Sequence, residues 1–327
     1  MGSASARLIL AGKAVRARGA RAVSIQQRRQ ATATRALGHA LTVASTASAL
    51  PESRVRDRYR VGELTLDHGA VPVIWWSQTP NLGDLLSPWL IGRMTGRPVV
   101  YAGRGRPHYV AIGSVINLAT PQSTVWGAGS FGTERRSSFA RHASYRAVRG
   151  PLTRSRLLNL GLDCPAVYGD PALLVPHYFA PEVAPTHEVG IVIRHTEARW
   201  RHSKLGEGVR LIDFGSGDVE QVLRDILSCR RIVSSSLHGL VLADAYGIPN
   251  AWLNSAPALG GRRPNGGDFK YYDYFISVNK LRPPQDFALL DGCLEATWLL
   301  DRLDFAEQSV EFDPEKLLDA CPFLTPR

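Results

Sequence analysis

Three short runs in this 327-residue chain have residue types and spacings suited to gripping a small anion and moving a proton. The richest is Ser234-Ser235-Ser236-Leu237-His238-Gly239, which lies where the apolar run Arg231–Ser235 gives way to a helical stretch, Leu240–Tyr246. Backbone N–H groups at a helix start lack intrahelical acceptors and favour phosphate or carboxylate. The serine hydroxyls add donors, and Gly239 lets a ligand approach the backbone. His238 changes charge near neutral pH, so it suits either a phosphate ligand or a general acid. An N-cap with a structural histidine is the plainer reading, and the serines at a strand end weigh against it.

The second run, Arg146 to Arg154, places Arg149 at a strand end just before a helix. There a guanidinium can clamp a carboxylate or phosphate with two parallel hydrogen bonds. Tyr168-Gly169-Asp170-Pro171 follows as a turn, with Asp170 either a turn residue or an arginine partner. The third run is Asn81-Leu82-Gly83-Asp84. Asn81 and Gly83 suit a tight loop, and Asp84 either caps the next helix or faces a cleft as a base.

Gly127-Ala128-Gly129-Ser130-Phe131-Gly132 matches GxGxxG after a strand, yet the polar residues 133–138 open no apolar helix and no acidic residue follows at the expected distance. Dinucleotide binding is therefore not expected. Neither a Walker sequence nor a DxD cluster is present, and the four cysteines (Cys164, Cys229, Cys293, Cys321) have no metal-ligand spacing. No metal or cofactor is expected, and reduced, mostly buried thiols are.

The elements around these runs alternate. Val71–Trp76, Arg97–Ala102, Tyr109–Gly113, Thr124–Trp126 and Tyr145–Val148 read as strands, with helices over Asp84–Thr95 and Leu152–Leu160. After the Pro-containing stretch 171–185, strands over Val189–Arg194, Val209–Phe214, Arg231–Ser235 and Asn250–Leu253 enclose the amphipathic helix Asp218–Cys229. This is α/β order with mostly parallel sheets. It predicts two Rossmann-like domains facing across a cleft, residues 61–176 and 177–327, after a basic extension over residues 1–60.

The net charge of +10 favours anionic partners. Residues 1–50 hold eight Lys and Arg and no Asp or Glu, so the remaining body is close to neutral and a nucleic-acid-binding face is not expected. The basic segment fits a solvated extension, a helix lying on anionic lipid, or a transit peptide. No apolar run approaches the ~18 residues of a membrane span. A cytoplasmic protein, with the inner membrane face as its place of peripheral contact, is the expectation.

In combination and in order, these runs resemble the polysaccharide pyruvyl transferase family, in particular the bacterial exopolysaccharide ketal-pyruvate transferases. The resemblance rests on the NxGD loop at Asn81–Asp84, RGPLT at Arg149–Thr153, VYGDPALL at Val167–Leu174 and SSSLHGL with ADAYGIP at Ser234–Pro249. It extends to His195 after VGIVIR, to Phe269–Tyr274 and to the closing Pro314–Phe323 segment. It covers roughly residues 70–323.

The resemblance implies a GT-B-like fold and phosphoenolpyruvate as donor. It implies a donor site lined by Arg149, Leu237 and His238. Many members carry arginine directly before Leu-His where this chain has Ser236, which shifts weight onto Arg149, Lys270 and backbone donors. The expected reaction transfers pyruvate to a sugar of a surface polysaccharide or its lipid-linked precursor, forming a ketal and releasing phosphate. Ser235, Ser236, Leu237, His238, Arg149 and Lys270 are expected to bind the donor. His238 is the expected acid and Asp84 and His195 candidate bases, with Asn81, Gly83 and Asp170 around the acceptor. The alternative is a GT-B-type glycosyltransferase that uses a nucleotide sugar.

Overall fold

The computed structural model describes residues 58–103, 105–194, 204–253, 266–285 and 293–327. Residues 1–57 of the sequence-predicted extension over residues 1–60, and His195, lie outside them.

Strands β2 (Val71–Val73), β3 (Val99–Tyr101), β4 (His108–Val110), β5 (Ser123–Trp126) and β6 (Ser144–Ala147) form one five-stranded parallel sheet in the order β3-β2-β4-β5-β6. Strands β7 (Val189–Ile193), β8 (Val209–Asp213), β9 (Ile232–Ser234) and β10 (Asn250–Trp252) form a second parallel sheet in the order β10-β9-β7-β8. β2 and β7 are almost wholly apolar and buried, as expected of strands covered on both faces. β1 (Tyr59–Val61) pairs antiparallel with β11 (Leu324–Pro326), so residues 59–61 form a strand tied to the far end of the chain.

In each sheet the order reverses around an interior strand, β2 in the first and β7 in the second. Crevices outside the carboxyl ends of strands at such points are the usual ligand sites of open α/β sheets. Helices α1 (Leu82–Thr95), α2 (Pro151–Leu158), α3 (Val219–Leu227) and α4 (Leu237–Ala245) leave those carboxyl ends. Every residue from Leu237 to Asp244 is buried, so α4 runs through the interior. α5 (Phe269–Ser277), α6 (Ala296–Arg302) and α7 (Pro314–Asp319) follow later in the chain. One core cluster joins Val73, Trp126, Val192 and Ile212 with α4, so both sheets share buried apolar contacts. Mixed α/β order with two parallel sheets is thus as the sequence predicts.

Two helix starts differ from the expected positions by more than one residue. α4 begins at Leu237, three residues before the expected Leu240, because Gly239 serves close packing inside the helix: a Cβ there would collide with Ser234 Oγ. α1 begins at Leu82, which makes Asn81 the N-cap residue and puts Asp84 inside the first turn. Pro171–His177 forms a 3₁₀ helix whose Ala172, Leu173, Leu174 and Val175 are buried.

Candidate functional site

β9 passes into α4 through Ser235 and Ser236. Ser234 Oγ accepts the Ser236 N–H at 3.0 Å and donates to the Ser236 carbonyl at 2.9 Å, so this hydroxyl shapes the turn. Buried Ser235 donates its N–H to the Val192 carbonyl, and its own carbonyl accepts the Tyr271 hydroxyl at 2.6 Å. Ser236 is the N-cap residue, extended, with no hydrogen bond from its side chain to the helix. Leu237 is packed into the core.

His238 is the second residue of α4, and its two ring edges meet different parts of the chain. Nε2 faces Asp170 Oδ2 at 3.5 Å, and neither atom has a hydrogen-bond partner among the described residues. Nδ1 lies against Gly83, where a Cβ would overlap the ring. Gly83 is therefore required by the imidazole that sits over it. Asp170 is fully buried at the start of the 3₁₀ helix, and its other oxygen accepts the Ala172 N–H at 3.0 Å. Buried polar atoms are nearly always satisfied, so two orphans facing each other mark a place built for more than stability.

The loop before α1 closes the same region. Asn81 Nδ2 donates to Asp84 Oδ2 at 2.6 Å, and Asp84 is 8% exposed with its other carboxylate oxygen beside Gly113. The Leu82 N–H donates to the Phe214 carbonyl at the end of β8, which ties this loop to the second sheet.

Arg149 stands at the end of β6, fully buried. Its Nε donates to Asp273 Oδ2 at 3.1 Å, Nη1 to Ser114 Oγ at 2.7 Å and Nη2 to the Ser130 carbonyl at 2.8 Å. Asp273, on α5, also accepts the Thr153 N–H and hydroxyl from the first turn of α2. Gly129 leaves the space that the guanidinium fills. The three glycines of the GxGxxG match thus have packing roles here: Gly127 beside Pro171, Gly129 beside Arg149 and Gly132 beside Phe269. Glu134 accepts the N–H groups of Phe131 and Gly132, so that loop folds on its own carboxylate.

Lys270, on the first turn of α5, lies 5.1 Å from the Tyr271 ring and 5.9 Å from the Phe131 ring. The structure therefore brings Asn81, Gly83, Asp84, Asp170, Ser235, Ser236 and His238 together. It sets Arg149 and Lys270 around the α5 side of the same strand ends. Asp273, Ser114 and Tyr271 are contributors that sequence reasoning missed; an acidic residue in the aromatic run Phe269–Tyr274 was the only hint.

A second buried cluster stands behind α4. Asp244 receives Lys280 Nζ at 2.8 Å, Arg282 Nη2 at 2.5 Å, the Tyr274 hydroxyl at 2.9 Å and Asn250 Nδ2 at 2.8 Å. Burial would raise the Asp244 carboxyl, yet Arg282 and Lys280 hold it below its ordinary value. Burial and then the Asp244 charge push the Tyr274 phenol far up. The cations also lie at the C-terminal end of α4, where the helix dipole favours them.

Among the described residues no group of three or more His, Cys, Asp or Glu side chains is placed to hold a metal ion, and no helix is long and apolar enough to cross a membrane.

These polar groups gather at the carboxyl edges of two parallel sheets, where open α/β folds place their ligand sites. Residues 120–257, from just before β5 to just past β10, match the polysaccharide pyruvyl transferase family. The match spans less than half of the chain, and the chain also resembles two individual proteins. It is 32% identical over 208 residues to the succinoglycan biosynthesis protein ExoV of Rhizobium meliloti (strain 1021), which covers 59% of this chain and 62% of that protein. It is 27% identical over 205 residues to the uncharacterized protein L143 of Acanthamoeba polyphaga mimivirus, covering 59% of this chain and 69% of that one.

Proposed function

We propose that the protein transfers pyruvate from phosphoenolpyruvate to a sugar of a surface polysaccharide or its lipid-linked precursor, forming a ketal and releasing phosphate. The observation that carries this reading is the His238–Asp170 pair at the start of α4, beside the NxGD loop, whose facing atoms have no hydrogen-bond partner among the described residues. The relative named for succinoglycan biosynthesis adds a polysaccharide context. The two sheets are read as the lobes of a GT-B-like enzyme, and the site of action as the cytoplasmic face of the membrane.

Ketal formation consumes the enol ester and two hydroxyls of one sugar. The methylene carbon gains a proton, and the first sugar oxygen bonds to the adjacent carbon. The phosphate leaves with the bridging oxygen, and the second sugar oxygen bonds to the same carbon. Two hydroxyl protons are lost; one balances the new methyl group and the other leaves on phosphate. His238, held between Asp170 and Gly83, supplies the proton to carbon. An imidazolium beside a buried carboxylate keeps the pair neutral overall, which lowers the cost of holding charge in a dry site. Asp84, oriented by Asn81, accepts a hydroxyl proton, with His195 the other candidate base.

The start of α4, the Ser235–Ser236 turn and Leu237 receive the donor's phosphate, and Lys270 adds charge. Arg149 is enclosed, so it acts on the donor through the Ser114 hydroxyl that it holds. Calorimetric titration tests the reading: phosphoenolpyruvate binds, whereas UDP and GDP do not. Binding of a nucleotide in place of the enol ester would instead favour a nucleotide-sugar glycosyltransferase.

A further inference from the structure

The loop that leads into the NxGD turn carries an aromatic surface that the proposed chemistry does not use. Trp76 is 43% exposed and Tyr101 48% exposed, and half-buried Trp75 packs edge-on against Tyr101 with ring centroids 5.0 Å apart. The three rings stand on adjacent strand ends, because Val73 of β2 is paired with Tyr101 at the end of β3. The indole N–H of Trp76 donates to Thr79 Oγ1 at 3.2 Å, which fixes the ring's orientation. Large rings held open to water on a functional edge mark a contact surface rather than leftover core.

The chemistry of the loop selects its occupant. From Trp75 to Gly83 the chain has no Asp, Glu, Lys or Arg, in a protein of net charge +10. Its polar groups are the hydroxyls and amides of Ser77, Gln78, Thr79 and Asn81. Aromatic planes flanked by neutral hydroxyls and amides match a neutral sugar, with its apolar ring face and its hydroxyl rim. Trp76 is five residues from Asn81, a span of at most about 18 Å. The surface therefore continues from the site.

We propose that Trp76 and Tyr101, supported by Trp75, form a subsite for a neutral glycan chain, holding acceptor units beyond the sugar that reacts. The proposal rests on the pyruvyl-transfer reading for the identity of the acceptor, but its binding test does not need turnover. Short neutral oligosaccharides of glucose and galactose are titrated into the full-length protein without phosphoenolpyruvate, and phosphoenolpyruvate is titrated separately. Trp76→Ala and Tyr101→Ala should each weaken oligosaccharide binding by about tenfold, with Trp76→Phe retaining most of it and phosphoenolpyruvate binding unchanged in all three.

Oligosaccharide binding that is equal in wild type and variants, or absent while phosphoenolpyruvate binds, overturns the subsite and leaves the donor chemistry standing. Oligosaccharide binding through Trp76 without phosphoenolpyruvate binding supports the subsite and sinks the pyruvyl-transfer reading. A sedimentation mass, or an affinity for phosphatidylcholine vesicles, that drops on Trp76→Ala assigns the surface to a second copy or to lipid and overturns the proposal.

Discussion

His238 Nε2 and Asp170 Oδ2 face each other across 3.5 Å at the junction of the two sheets, 68 positions apart in the sequence, and neither atom has a hydrogen-bond partner among the described residues. Their separation is slightly beyond a hydrogen bond and closes with a small shift, as catalytic contacts often do once substrate is bound. Asp170→Asn keeps the size and the Ala172 contact while removing the charge. It should lower kcat by about 10²-fold or more with KM for phosphoenolpyruvate little changed. An unaltered kcat would make the pair structural.

Gly83 bears on the same ring from the other side. Gly83→Ala is acceptable to a helix by propensity, but its methyl group would occupy the space of His238 Nδ1. The expected result is a folded protein, unchanged in circular dichroism, with kcat reduced along with the His238 variants. A fully active Gly83→Ala enzyme would show that the ring sits elsewhere during turnover.

The Asp244 cluster makes a prediction about stability alone. Asp244→Ala leaves Lys280 and Arg282 buried without their carboxylate, which should cost about 3–5 kcal/mol. Thermal unfolding checks this, with Asp244→Asn expected to fall between. A melting temperature within a degree or two of wild type would contradict the arrangement.

One buried and one half-buried histidine set an acid limit. Burial lowers His108 and His177 below their ordinary 6.5, and His108 is bonded to the Arg106 carbonyl and Ser123 Oγ. Both bind a proton less readily in the folded protein than in the unfolded chain, which takes up protons below about 6.5. Their contribution is therefore fully present above that pH and is lost as pH falls below it towards the folded values. Unfolding midpoints should fall between pH 7 and pH 5, less steeply in His108→Gln. An identical slope would show that His108 does not titrate on unfolding.

Much of this was legible in the sequence because parallel strands buried on both faces are short, nearly continuous apolar runs. Val71–Val73 and Val189–Ile193 are such runs, and Asn81, Asp170 and His238 follow strand ends by position alone. What the sequence hid was partnership across distance. Arg149 reads as an anion clamp until α5 brings Asp273 to it from 124 positions away. Asp244, inside the buried helix α4, meets Lys280 and Arg282 from beyond α5. The pairing of β1 with β11 is similarly non-local, and no local pattern signals it. Gly239 misplaced the start of α4 because a glycine required by a neighbouring hydroxyl looks the same in sequence as one that breaks a helix.

The account stands or falls most directly on phosphate release from phosphoenolpyruvate, measured with galactose, mannose, glucose and N-acetylmannosamine acceptors in wild type and in His238→Ala. Acceptor-dependent release in wild type that drops by about 10²–10⁴-fold in the variant is the predicted result. Equal release by the two proteins would contradict it.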